Sequence, residues 1–213
     1  MEQTTPPEHP TPHTIFDVIR DVVVNYVRFA ESHLITARPP VILIVLWLIG
    51  MDAIAGAIET VNVNAGQYPV DNWFHAWLFM MGAGLPAGLL RYWIVGSLFH
   101  LIVRVAGGKL PAYASRNIFF YSALPATVVD LSLKAIQMVM YGNGYFAQHT
   151  PTPVDGMFSF ITLIAYGYSV YLCYIGMRRV LGTDKGRTFV ALGAIALAAM
   201  LVMFALMPGS EGP

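Results

Sequence analysis

The chain has 213 residues, of which 56% are hydrophobic and only 11% charged, against the roughly 25% charged typical of soluble domains. Twelve basic residues balance twelve acidic ones, so there is no net field to recruit nucleic acid, and nucleic-acid binding is set aside. Cys173 is the only cysteine, which excludes an intrachain disulfide and a cysteine-based metal cluster.

Residues 1–13 carry prolines at 6, 7, 10 and 12 and acids at 2 and 8. They lack the basic start and apolar core of a secretory signal and read as a disordered cytoplasmic tail. Over 14–36, Ile15, Ile19, Val22, Val23, Tyr26, Ala30 and Leu34 recur at helical spacing, with Asp17, Arg20, Asp21, Asn25 and Arg28 mostly elsewhere around the helix. Thr14 with Asp17 makes a capping-box-like start. This pattern predicts an amphipathic helix lying in the membrane interface, as an anchor or as a docking surface for a cytoplasmic partner.

About 20 apolar residues are needed to cross the hydrocarbon core, and five segments reach that length within residues 37–208. The first runs from Pro39 to Ile58, opened by a Pro-Pro pair. The second covers Leu85 to Val105, preceded by a shorter amphipathic piece from Trp73 to Met81 and broken from it by Gly82, Gly84 and Pro86. The third covers Ile118 to Met140, the fourth Met157 to Met177 and the fifth Thr188 to Met207. Residues 209–213 form a short tail. The expected fold is therefore all-α and membrane-integral, with five transmembrane helices preceded by a cytoplasmic amphipathic interfacial helix. Gly84 and Gly88 are a small-xxx-small pair that permits close helix approach, and an intramolecular contact is favoured over a dimer seam.

Lysine and arginine set the orientation, because basic loops are retained in the cytoplasm. Arg20, Arg28 and Arg38 precede the first span, Arg104, Lys109 and Arg116 follow the second, and Arg178, Arg179, Lys185 and Arg187 follow the fourth. All ten fall on one side. The segments 59–72 and 141–156 and the tail after Met207 contain none. The amino terminus is expected in the cytoplasm and the carboxyl terminus outside, in a bacterial inner (plasma) membrane.

The junction of the second and third spans reads Arg104-Val105-Ala106-Gly107-Gly108-Lys109, followed by Arg116 and by Tyr121-Ser122-Ala123-Leu124-Pro125. This resembles the Yip-domain family of Ypt/Rab-interacting membrane proteins, particularly its short prokaryotic members. There a Gly-Gly-basic turn precedes a span opening with a tyrosine and, about four residues on, a proline. The five-span layout, the preceding amphipathic helix and the Gly176-Met177-Arg178-Arg179 end of the fourth span are similar too. The resemblance implies a non-enzymatic membrane protein that binds or organises proteins or lipids. An Asp-Leu-Tyr-Gly-Pro-like segment of the eukaryotic members has no counterpart here, so binding of a Rab-type GTPase is not carried over. Independently of the family, Gly107 and Gly108 can supply the positive φ that ends a helix, and Lys109 then sits near the phosphate layer. Pro125 allows a kink by disrupting the bond to the carbonyl of Tyr121, and Tyr121 itself is expected near the interface.

Ionisable side chains inside a bilayer cost about 2.5–3.5 kcal/mol each on insertion scales and usually face a partner or a water cavity. Asp52, Arg91 and Asp130 lie on three different spans at one depth, about 20 Å from the basic side at 1.5 Å per residue. Arg91 is expected to pair with Asp52 or Asp130. Lys134 follows Asp130 by one turn in the favourable acid-first order, and it lies near enough to the outer surface to snorkel. The cluster reads as structural glue or as a polar cavity for a lipid headgroup, ion or solute. Ser97 and His100 lack an oxyanion hole and an orienting acid and read as packing residues. The tyrosines at 166, 168, 171 and 174 read likewise. His9, His13, His75 and His149 have no metal-ligand company, so no metal and no cofactor is expected.

The functional expectation is a binding or organising component, alone or as an accessory subunit of a larger membrane complex. Its expected partners are the bilayer and a membrane protein or a second copy of this chain. The rival expectation is a small channel or carrier for a lipid, ion or solute built on the intramembrane charges.

Overall fold

The computed structural model describes residues 15–35, 39–65, 72–142, 145 and 152–194. The expected tails at 1–13 and 209–213, the Thr14 cap and the distal part of the fifth span lie outside the described residues. The described residues form helices joined by short turns, with no strand among them. In order they form α1 (Ile15–Val24), α2 (Tyr26–Ile35), α3 (Pro39–Ala65), α4 (Trp73–Val105), α5 (Ala112–Tyr141) and α6 (Pro153–Ile175). A π-helical turn at Gly176–Val180 continues α6, and a further helix, α7, occupies 185–194. Among the described residues, four stretches, Val41–Glu59, Trp73–Val105, Ala112–Tyr141 and Pro153–Val180, are long and apolar enough to cross a membrane.

The expected break between 81 and 85 does not occur, since α4 runs unbroken through Gly82, Gly84 and Pro86. Pro86 cannot donate to the carbonyl of Gly82. Beside that gap, the Trp47 indole of α3 donates to the carbonyl of Met81 at 2.9 Å. That bond braces the backbone one residue before the carbonyl that Pro86 leaves without its helical donor.

Helices α3 and α4 meet backbone to backbone. A Cβ at Gly50 would stand 1.8 Å from the carbonyl oxygen of Gly84, and one at Gly88 would stand 1.9 Å from that of Leu46. The glycine pair thus serves an intramolecular seam. Helix α6 starts on signals that precede the expected start at Met157. Thr152 and Asp155 form a reciprocal capping box with Pro153 at the first helical position. Asp155 also accepts from Gln137 at 3.2 Å and Tyr141 at 3.1 Å, tying the start of α6 to the end of α5.

The amino-terminal amphipathic stretch is two helices with a bend at Asn25, and its apolar face is covered by the chain itself. Val18, Val22, Tyr26, Phe29 and Ala30 are buried in one core with Ile118, Tyr121, Leu172 and Met177. The Tyr26 hydroxyl donates to the carbonyl of Ile118 at 3.1 Å, and Tyr168 donates to the carbonyl of Val23 at 2.5 Å. Gly176 makes room for this latch, since a Cβ there would lie 2.9 Å from the Tyr26 hydroxyl. Of the face expected to lie in the membrane interface, Val22, Tyr26 and Ala30 thus pack inside the chain, while Val23 is exposed. Of the remaining tyrosines, Tyr166 and Tyr171 are exposed.

Candidate functional site: the intramembrane charges and the Gly-Gly turn

Three of the four expected intramembrane charges meet, and the cation among them is Lys134 rather than Arg91. Its ammonium lies 2.7 Å from Asp130, 3.6 Å from Asp52 and 3.8 Å from Glu59. Lys134 is only 12% exposed and does not snorkel to the surface, which corrects the expectation that it would. Glu59 was not anticipated, although it follows Asp52 by seven residues and so shares its face of α3. The Tyr145 hydroxyl donates to Glu59. Asp52 Oδ1 is buried and makes no hydrogen bond among the described residues.

Arg91 shares their depth and acts electrostatically on Asp52, but forms no ion pair with the cluster. It is exposed, and its Nη1 is 3.5 Å from the carbonyl of Ile49. No carboxylate among the described residues pairs with it. The reason is azimuth: α3 turns Gly50 toward α4, and Asp52, two residues and about 200° further around, turns toward α5. At the glycine seam the backbones touch, so Arg91 emerges at its edge.

The turn after α4 is closed by backbone bonds. Gly108 N–H donates to the carbonyl of Val103 at 2.9 Å and Gly107 N–H to that of Arg104 at 3.0 Å, with Gly107 at φ 91°. This is the paired-bond helix stop that a left-handed glycine permits. Gly108 is held by packing instead, since a Cβ there would lie 2.4 Å from a Val103 methyl. Lys109 is exposed. Asp184 N–H donates to the carbonyl of Ala106 at 3.2 Å, joining the turn to the start of α7.

Tyr121 is 2% exposed and packs edge-to-face on Phe29 at 5.0 Å. Pro125 lies within α5, and the next amide, Ala126 N–H, donates to Ser169 Oγ of α6 at 3.2 Å. The proline therefore sits at a helix contact sealed by a serine.

Ser97 and His100 each have a partner on α5. Arg116 Nη2 donates to Ser97 Oγ at 2.9 Å, His100 Nδ1 lies 3.0 Å from Ser115 Oγ, and Arg104 Nε is 3.4 Å from His100 Nε2. The Arg116 guanidinium is 4.4 Å from the centre of the Trp93 ring. The charge count in the loops registered Arg104 and Arg116 only as topology signals.

A bundle of apolar helices with charges gathered on its inner faces defines a polytopic membrane protein. The Yip1 domain family model matches residues 28–207, and the chain belongs to that family. No curated protein and no solved structure matches it significantly.

Proposed function

We propose that this chain is a non-enzymatic Yip1-family protein of the short prokaryotic type that binds or organises partner proteins or lipids in the plasma membrane, with its amino terminus in the cytoplasm. One observation carries the reading. The outer surface of α4 carries exposed apolar side chains from Trp73 to Val105, interrupted by His75 and Arg91, and beside them Arg104 and Arg116 have no carboxylate partner among the described residues, so apolar contact and uncompensated charge face outward together. Such a surface is complementary to a bilayer or to another membrane protein. Extraction in mild detergent followed by native mass spectrometry tests this. The chain should leave the membrane with a protein or phospholipid at fixed stoichiometry, and a bare monomer would count against the proposal.

A second reading, a carrier for a proton, cation or solute, is favoured by the cluster around Lys134. Three carboxylates surround one ammonium, and a buried surplus of negative charge attracts a proton or a cation. Flux through reconstituted vesicles that disappears in Asp52→Asn would establish it, and vesicles no leakier than protein-free controls would dismiss it.

A further inference from the structure

We infer that the α4–α5 groove at the basic end of the bundle is a binding site for the phosphate of an anionic phospholipid, held by Arg116 and Arg104. This deepens the binding reading above and rests on it.

The groove is built on Gly96. A Cβ there would lie 2.8 Å from Arg116 Cγ, so the missing side chain is what lets the arginine stem lie against α4. The guanidinium then spreads over the exposed Trp93 ring at 4.4 Å and donates to Ser97 Oγ at 2.9 Å. Ser97 passes its own proton to the carbonyl of Trp93. Beside it, Arg104 Nε donates to His100 Nε2 at 3.4 Å, which fixes the proton on Nδ1, where it faces Ser115 Oγ at 3.0 Å. Both chains of hydrogen bonds therefore run from a guanidinium into the protein. Each guanidinium carries five donors, and one is used in each case. Arg116 Nε is buried without a hydrogen-bond partner. Among the described residues no carboxylate pairs with either arginine, although both act electrostatically on the same histidine.

Depth selects the occupant. The 33 residues of α4 span about 50 Å at 1.5 Å per residue, against about 30 Å of hydrocarbon. About 10 Å is left at each end, and Ser97 lies eight residues before Val105, or about 12 Å from the helix end. Arg116 therefore sits at the boundary between acyl chains and headgroups. An anion arriving there has a phosphate at the level of the arginines and acyl chains beside it, and the flanking Leu90, Ile94, Leu98 and Leu101 are exposed to receive them. Arginine forks suit phosphate oxygens, and basic pockets between membrane helices are known to take anionic headgroups.

The test uses the full-length protein in mild detergent, titrated with dioctanoyl phosphatidylglycerol, dioctanoyl phosphatidylcholine or inorganic phosphate and read by native mass spectrometry. Phosphatidylglycerol should bind one to one in preference to phosphatidylcholine, and Arg116→Gln should weaken it at least about tenfold. Arg104→Gln, at an exposed position, should reduce the same preference and stands in if Arg116→Gln does not fold. Equal binding of the two lipids by the unaltered protein would overturn the inference, as would a preference unchanged in Arg104→Gln. Displacement of the lipid by inorganic phosphate would overturn it in favour of a free-anion site. Recovery of a protein partner without any lipid preference would overturn this inference alone and leave the broader binding reading standing.

Discussion

The two ends of the bundle handle charge in opposite ways. At the Glu59 end, three carboxylates converge on one lysine in a partly buried site. At the Gly107 end, Arg104 of α4 and Arg116 of α5 lie without acidic partners among the described residues, and Arg116 stacks on an aromatic ring. The acid-rich cluster has a cation inside the chain, Lys134, whereas the basic end has no internal counter-charge among the described residues. The difference follows from physics. Carboxylates have short stems and must find partners within the bundle, while arginines reach the headgroup layer.

The sharpest way to break this comparison is to remove the lysine. Lys134→Leu leaves three carboxylates without their cation and should cost about 3–5 kcal/mol, while adding Asp52→Leu and Asp130→Leu should restore much of it. Unfolding in detergent measures both, and a triple variant no more stable than the single one would show that the acids do more than balance Lys134. Next in size is Gly50→Ala. The methyl collides with the Gly84 carbonyl two residues before Asp52, so a loss near about 3 kcal/mol, the upper part of the overpacking range, should appear in the same assay. Gly167→Ala, where nothing lies within 4 Å, should be neutral or slightly stabilising.

Arg91→Leu sharpens the contrast from the other side. An exposed arginine outside both clusters should change stability by no more than about 0.5 kcal/mol. A loss as large as that of Lys134→Leu would mean that Arg91 belongs to the acid cluster after all. The smallest effect is on pH dependence at the basic end. Asp184 caps α7 by accepting from Arg187 N–H at 3.1 Å, and that bond, with the nearby Arg187 and Arg178 charges, holds its carboxyl below the usual range. A depressed acid stabilises the fold above its unfolded pKa of about 3.9 and loses that contribution as pH falls through the folded value. The gap in melting temperature between the parent chain and Asp184→Ala should therefore be constant above about pH 5 and close below about pH 4. A gap that does not change with pH would remove Asp184 from the account.

Much of this was legible in the sequence. Hydropathy marks the stretches that became α3 to α6, and Gly107 and the Gly84/Gly88 pair announce a helix stop and a close contact through chemistry that few other residues share. Depth along a helix is also readable, which is why Asp52, Arg91 and Asp130 fell on one level. Azimuth was harder, because which face of α3 meets α4 depends on Gly50, and one glycine among many carries no mark of its partner. Glu59 was findable from its seven-residue spacing to Asp52. Tyr145 was not, since it comes from a loop with no periodicity to place it. Pro86 misled because a proline among glycines is a strong local break signal, and the α3 residues that support α4 there, Trp47 on Met81 and Gly50 on Gly84, lie 34 residues earlier in the chain.

The latch around Tyr26 has a consequence for the order of events during synthesis. Its carbonyl acceptor at Ile118 emerges 92 residues later, and the hydroxyl that reaches Val23 emerges 145 residues later. At about 5–20 residues per second, the apolar side of the first two helices exists for about 7–30 seconds before its protein cover is made. For that interval the nascent chain must shelter Val18, Val22 and Phe29 elsewhere, and the nearest apolar phase is the membrane surface. The amphipathic pattern of these two helices suits such a surface until α5 and α6 are made.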